Sequence, residues 1–403
     1  MPATTATLSF TPLSPECGQT VVLTATVAPT PPDGETVQFI ISADGPTLTG
    51  TLNGGQATAT LSTLSVGSHT AAAYPGDGLF DPSSSAFVPI TVNPAATTTT
   101  VTSINPASPV CGQTVQLCAH VAASSPSPCL PTGQVTFAVS GGPTLIGNLD
   151  ANGNVCVSTT GIAPGTHTVT VTYAGNGRVQ GSSVNGSITV AKSNSSTLLI
   201  SSPNSSTFGQ NVTFTATVVA VAPGGGVPTG NVTFTISGGP ILMGTLNGVG
   251  QATASTSALT AGPHTVTATY NGDGCFNPST SAVLTQQVNP KATTLTAVPA
   301  TIRMRTNGTF VIPTLSATLT ETATSAAVVG QTITFSANSA LGPLPLGSAV
   351  TDATGTATLT NVAPVGRHLS SPGPDRRPAR VQLLCSGVRG DVPARCRGGP
   401  SGG

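Results

Sequence analysis

The chain has 403 residues, of which only 6% are charged, and its 12 Lys+Arg and 12 Asp+Glu cancel to a net charge of zero. That argues against a nucleic-acid binder, which needs a surplus of Lys and Arg to neutralise phosphates. With 38% apolar residues it also argues against a disordered chain. No apolar run approaches the ~18 residues of a membrane helix, so no membrane insertion is expected. The opening "MPATTATLSF" carries neither the basic nor the apolar region of a signal peptide.

The predicted elements come in rounds. The first round has a strand run in "ECGQTVVLTATV" from Glu16 and the phrase "VGSHTAAAYPGDG" at Val66–Gly78, and it closes on Val92–Pro94. In the second, Val115, Leu117, Ala119 and Val121 share one face of a strand, with Gln116, Cys118 and His120 on the other. Val135, Phe137 and Val139 alternate next, then Val155 and Val157 with Cys156 between them, then Val169, Val171 and Tyr173 among threonines. Period-two alternation is the signature of strands. The intervening "SPSP", "SGGP", "DANGN", "APG" and "AGNG" are turn chemistry. The third round repeats the set, with "FGQNVTFTATV" from Phe208 and "AGPHTVTATYNGDG" at Ala261–Gly274. A fourth begins with "NGTFVIPTLSATL" at Asn307 and "VVGQTITFSA" at Val328, reaches "VGRH" at Val365–His368, and breaks off.

The step between rounds is ~97 residues, the size of a domain and not of a solenoid repeat. About seven short strands per unit and no helical stretch predict an all-β fold, a tandem array of two-sheet antiparallel sandwiches. The units are 1–94, 95–191, 192–290 and a truncated 291–368, followed by a tail, 369–403. Seven of the twelve Lys+Arg fall at Arg367, Arg376, Arg377, Arg380, Arg389, Arg395 and Arg397. The Thr/Val alternation vanishes there. A reading-frame change near position 368 accounts for this; the alternative is a basic tail for an anionic polymer or membrane surface. The fourth unit is expected to lack its last two strands and the tail to be disordered. Both ends look cut from a longer protein.

The phrases "PTGxVTF", "GTLNGxGxAT" and "LxxGxHTVTATYxGDG" together resemble the bacterial Ig-like repeat domain, found in strings on bacterial surface and secreted proteins. The resemblance covers the first three units and most of the fourth. It implies Ig-like sandwiches, an extracellular or cell-surface location, and a spacer, stalk or adhesive role. It supplies no catalytic residue and no cofactor.

The residues give the same reading. His69, His167 and His264 recur one per unit, at the start of an inward-facing row, and read as corner residues, each ring packing on the core edge with one nitrogen satisfying a loop carbonyl. A metal site would need three or four converging ligands, and no carboxylate–His–Ser set recurs. No enzyme is expected, and no metal or cofactor. Tyr173 and Tyr270 end the same rows and read as corner tyrosines bonding nearby backbone. In the first unit Tyr74 comes one residue early, which flips the end of its strand and predicts the least well packed complete unit. Gly76-Asp77-Gly78, Gly175-Asn176-Gly177 and Gly272-Asp273-Gly274 read as hairpin turns, with the Asn-Gly or Asp-Gly pair supplying positive φ. One acid per turn is too few for calcium; Asp77 with Asp81 is the best candidate. "LPTG" at Leu130–Gly133 is internal and opens a strand, so it is not read as a sortase signal, and "NVT" at Asn211 and Asn231 is a chance sequon in a Thr-rich chain.

Cys385 and Cys396 lie in the tail. Of the other six cysteines, Cys118 and Cys156 face outward on the second and fifth strands of their unit, B and E, which neighbour each other in an Ig sandwich; a cross-strand bridge fits. Cys17 and Cys111 open strand B at the end facing the next domain. Cys129, in a B–C loop, and Cys275, after an F–G turn, face the previous one. Adjacent units could thus join Cys17 to Cys129 and Cys111 to Cys275, in an oxidising compartment. The alternative is that these are small buried hydrophobes that stay reduced, as Phe208 takes the same place in the third unit. The function expected is a non-catalytic spacer or stalk whose partners are the other domains of a longer protein. The alternative is an adhesin binding a glycan or protein, but sugar sites lean on exposed aromatics and this chain has no Trp and three Tyr.

Overall fold

The computed structural model describes residues 2–41, 46–73, 80–300, 303–304, 310–339, 342–363 and 383–386. An alternating strand buries one face only if a second layer covers it, and each unit solves this with a second sheet. Domain one contains β1 (Thr5–Thr11), β2 (Val21–Ala28), β3 (Thr36–Ile41), β4 (Thr47–Thr51), β5 (Gln56–Leu61), β6 (Gly67–Ala73) and β7 (Val88–Val92). Its sheets are ordered β1-β2-β5 and β4-β3-β6-β7. Domain two contains β8 (Thr97–Asn105), β9 (Val115–Ala123), β10 (Gln134–Val139), β11 (Thr144–Asn148), β12 (Asn154–Thr159), β13 (Gly165–Gly175) and β14 (Gln180–Val190). Its sheets, β8-β9-β12 and β11-β10-β13-β14, have the same topology.

Domain three contains β15 (Ser195–Ser202), β16 (Ser206–Thr207), β17 (Val212–Ala220), β18 (Asn231–Ile236), β19 (Leu242–Thr245), β20 (Gln251–Thr256), β21 (Gly262–Tyr270), β22 (Ser279–Thr280) and β23 (Leu284–Asn289). Its three-stranded sheet is β15-β17-β20, and β16 adds to the other by pairing parallel with β23.

Register puts the expected apolar rows together. In domain two, Val135, Phe137 and Val139 lie opposite Tyr173, Val171 and Val169. In domain three, Val232, Phe234 and Ile236 lie opposite Tyr270, Ala268 and Val266. Phe39, Phe137 and Phe234 occupy equivalent, fully buried positions in the three cores, each worth ~1.5–3 kcal/mol of burial. Domain one has Ala71 opposite Ile41 and Ala73 opposite Phe39 where its siblings carry larger partners or the same small one. The early Tyr74 lies outside the described residues, as do Gly76-Asp77-Gly78 and His368.

The fourth unit has β24 (Thr293–Ala297), β25 (Arg303–Met304), β26 (Phe310–Glu321), β27 (Thr332–Ser339), β28 (Gly342–Val350), β29 (Thr356–Val362) and β30 (Leu383–Ser386). Here the structure departs from the sequence reading, which gave the tail no strand. β30 comes from the tail and pairs antiparallel with β27, Cys385 opposite Phe335. It takes the place beside β27 that β13 takes beside β10. An open strand edge carries unpaired N–H and C=O groups, and any extended segment of sufficient reach can pair with them.

Candidate functional site: the interdomain junctions

Each of the first three domains enters its second long strand through the same turn. The sequences are Glu16-Cys17-Gly18-Gln19, Val110-Cys111-Gly112-Gln113 and Thr207-Phe208-Gly209-Gln210. The glutamine N–H donates to the first residue's carbonyl at 2.9, 3.0 and 2.8 Å. The glutamine Oε1 accepts from the first residue's N–H at 3.0, 3.0 and 2.9 Å. The glycine has φ +71°, +75° and +82°, the left-handed conformation that the third position of such a turn requires. The turn therefore fixes its second residue, Cys17, Cys111 or Phe208, at the tip.

The tips of domains one and two meet the next domain. Cys17 is disulfide-bonded to Cys129, with Cα atoms 6.0 Å apart, and Cys111 to Cys275, with Cα atoms 5.6 Å apart. Cys129 follows β9, whereas Cys275 follows the turn after β21; the two loops lie side by side at the same pole. Arg178 occupies in domain two the position of Cys275 in domain three, and its guanidinium lies 3.7 Å from the Cys129 Sγ. At the first junction Ser127 Oγ also donates to the Cys17 carbonyl at 2.7 Å. Cys17 packs into the core cluster of domain two, and Val66 against it. At the second junction a Cβ on Gly112 would lie 2.1 Å from the Gly225 carbonyl oxygen, so only glycine allows that approach.

The connecting segments are held from both sides. Asn93 bridges to Glu16 of domain one, and Ala95, two residues on, to Val179 of domain two. Ala191 bridges to Val110 of domain two, and Ser193 to Phe276 of domain three. Only Pro94 and Lys192 lie between the clamped residues. Cys17, Cys111 and Cys275 contribute backbone hydrogen bonds to these clamps, through Cys17 N–H to Asn93 O, Cys111 N–H to Ala191 O and Ser193 N–H to Cys275 O, each at 2.9 Å. Cys111 precedes β9 and Cys129 follows it, so they stand at opposite poles of domain two, ~30 Å apart for nine residues of strand. Domains one and three therefore attach at opposite ends. The sequence reading did not find the one-residue linkers; the repeated "VNP" closing phrase was the available signal.

Cys118 and Cys156 lie directly opposite each other on β9 and β12 and are disulfide-bonded. Cys118 is on the outer face, as its parity requires, yet it is buried.

The repeated histidines act within domains. His167 Nδ1 faces Ser140 O at 2.6 Å and Nε2 faces Ala163 O at 2.8 Å. His264 repeats this with Ser237 O at 2.7 Å and Thr260 O at 2.8 Å. His69 keeps one such contact, to Ser65 O at 2.8 Å. Tyr173 donates to Thr132 O at 2.9 Å. Tyr270 was expected to do the same, but its hydroxyl is buried without a partner of full hydrogen-bond geometry. Burial, followed by the nearby Asp273 carboxylate, pushes its phenol up. The positive φ of the hairpin turns falls on Gly175 (+84°) and Gly272 (+78°), one residue before the Asn or Asp expected to supply it. This leaves the side chain free to cap the turn. Asn176 Oδ1 accepts from Arg178 and Val179 N–H. Asp273 accepts from Cys275 and Phe276 N–H and from the N–H and hydroxyl of Thr229. Burial would raise the Asp273 pKa, but these four bonds outweigh it and hold it at about 2. Among the described residues no three His, Cys, Asp or Glu side chains gather as metal ligands.

The model of the bacterial Ig-like domain (group 3) matches at residues 8–93, 101–191 and 199–289, more than half of the chain. No curated protein matches. Similar solved structures include a tetra-tandem repeat from the extending region of a large adhesion protein, at 19% identity over 90% of this chain and 91% of that one, TM-score 0.37. Invasin, a bacterial integrin-binding protein, is 16% identical over 94% of this chain and 78% of that one, TM-score 0.37. The Escherichia coli adhesin FdeC is 16% identical over 70% and 96%, TM-score 0.25. With three matched units of one topology, this chain belongs to the bacterial Ig-like domain (group 3) family.

Proposed function

We propose that the chain is a non-catalytic stalk of a bacterial surface or secreted protein, holding other domains of a longer parent at a distance. The observation that carries this reading is the junction. One-residue linkers clamped on both sides, with a cystine across each of the first two joints, leave neighbouring domains little freedom to fold back. Domains that merely travel together need only a flexible linker. An oxidising location outside the cytoplasm goes with the bridges.

The competing role is an adhesin that binds a glycan or protein through loops or sheet edges. The stalk is favoured because Tyr173 and Tyr270 are spent inside cores and Trp is absent, so few aromatic faces remain for sugar stacking. Small-angle scattering on the full chain tests the stalk. At ~40 Å per domain, three domains give a rod of ~120 Å, with a radius of gyration of ~35 Å or more. A compact globule of this length would have ~21 Å, and that value would overturn the proposal. A glycan array on the same protein tests the competing role, and saturable binding there would favour it.

A further inference from the structure

We infer that the two interdomain cystines form a crossed pair that stops the array from being stretched or severed, with β9 as its load-bearing core. The cysteines occur in the order Cys17, Cys111, Cys129, Cys275. The first joins the third across a sequence separation of 112, and the second joins the fourth across 164. The two loops therefore overlap in the segment 111–129. Three separate covalent routes then lead from one bridge to the other: 17–111, 111–129 and 129–275. Any one of them keeps the two ends of the array joined.

The routes differ in length. Segment 111–129 is the shortest, and about half of it is β9, already extended and hydrogen-bonded between β8 and β12. Under a pull on the chain ends, tension passes from Cys17 across to Cys129, back along β9 to Cys111, and across to Cys275. The other two routes stay slack. If every core melted, residues 17 and 275 could separate by only ~75 Å, at ~3.5 Å per residue for segment 111–129 plus the two bridges. Without the bridges the same residues could separate by ~900 Å. The third cystine, Cys118–Cys156, ties a side branch to β9 and does not lengthen this route. The crossing follows from geometry: in domain two, one bridge enters beyond the end of β9 and the other leaves before its start, because those ends are the two poles that face its neighbours.

The test is force–extension of single full-length molecules held by their termini, first oxidised and then with dithiothreitol. Total extended length is read, so the result does not depend on how stable each domain is. The oxidised chain should stop ~830 Å short of the reduced one. Cys111→Ser with Cys275→Ser, oxidised, should recover ~390 Å of that difference. In a parallel assay, protein nicked once within 18–110 and once within 130–274 should run as one species on a non-reducing gel and as fragments after reduction. Equal extension with and without reductant, or fragments on the non-reducing gel, would overturn the inference. The inference deepens the stalk reading but fails separately from it. A compact particle in scattering removes the stalk and leaves the extension limit standing, whereas an extensible chain removes the limit and leaves a rod.

Discussion

The cystine within domain two gives the most direct test of energetics, because its siblings supply the control. Where domain two pairs Cys118 with Cys156, domain one pairs Thr24 with Thr58 and domain three pairs Thr215 with Thr253, on equivalent strands in the same register. Cys118→Thr with Cys156→Thr therefore rewrites domain two in its siblings' terms, without asking the strands to accept a foreign shape. The bridge closes a loop with a sequence separation of 38. Loop-closure entropy for that length is ~4 kcal/mol at 25 °C. A cross-strand threonine pair returns ~0.2–1 kcal/mol, so the net loss is ~3–4 kcal/mol against a domain stability of ~5–15 kcal/mol. Domain two should stay folded but open two to three orders of magnitude more often, since ~1.4 kcal/mol is tenfold. Amide hydrogen exchange read by mass spectrometry resolves this by domain. Peptides from β9, β10 and β13 should lose protection by about that factor, and peptides from β17, β18 and β21 should not change. Unchanged protection in domain two would refute the reasoning, and an equal loss in domain three would show that the two do not unfold independently.

Domain three should be destabilised by acid through Asp273. Its carboxylate has a lowered pKa in the folded state, about 2, so its contribution is complete above the unfolded value near ~3.9 and is lost as pH falls towards 2. With solvent screening this is ~1 kcal/mol; Asp273→Asn should flatten the pH 4-to-2 decline of domain three in chemical denaturation, and an unaltered decline would discount the carboxylate. His264→Ala removes the ring that lies between the Ser237 and Thr260 carbonyls and leaves the one that accepts its N–H without a donor in a buried site, which should cost ~2 kcal/mol and lower the midpoint of domain three by ~10 °C, as followed by scanning calorimetry. Gly112→Val should open the second junction, since its Cβ would fall 2.1 Å from Gly225 O. Thiol alkylation should then find more free Cys111 and Cys275, whereas Gly209→Val, whose Cβ has only Lys291 Cε nearby at 3.9 Å, should leave the cystines intact.

The period of ~97 residues and the inward rows were legible in the sequence, because each can be read along the chain without knowing what packs against it. Alternation along a strand fixes which residues share a face, whatever the strand pairs with. Val135, Phe137 and Val139 needed no partner to be assigned to a core, and neither did the turn chemistry that separates the strands. The parity of Cys118 and Cys156 turned both outward for the same reason, whereas the adjacency of their strands came from the resemblance to an Ig sandwich. What the sequence could not decide is set by contacts between residues distant in the chain. Tyr173 and Tyr270 end equivalent rows, yet only the Tyr173 hydroxyl makes a hydrogen bond to a carbonyl, because hydrogen-bond geometry at the end of a long side chain depends on the loop it reaches and not on the strand pattern. β30 was invisible because "LLCS" has no alternating neighbours to mark it, and only the open edge of β27 makes it a strand. The clamps on Asn93, Ala95, Ala191 and Ser193 were likewise set by the fold alone. Each pairs a linker residue with a turn of its own domain nearly eighty or more residues away in sequence, and such a contact exists only once the two sheets of that sandwich have closed and brought the end of the unit beside that turn.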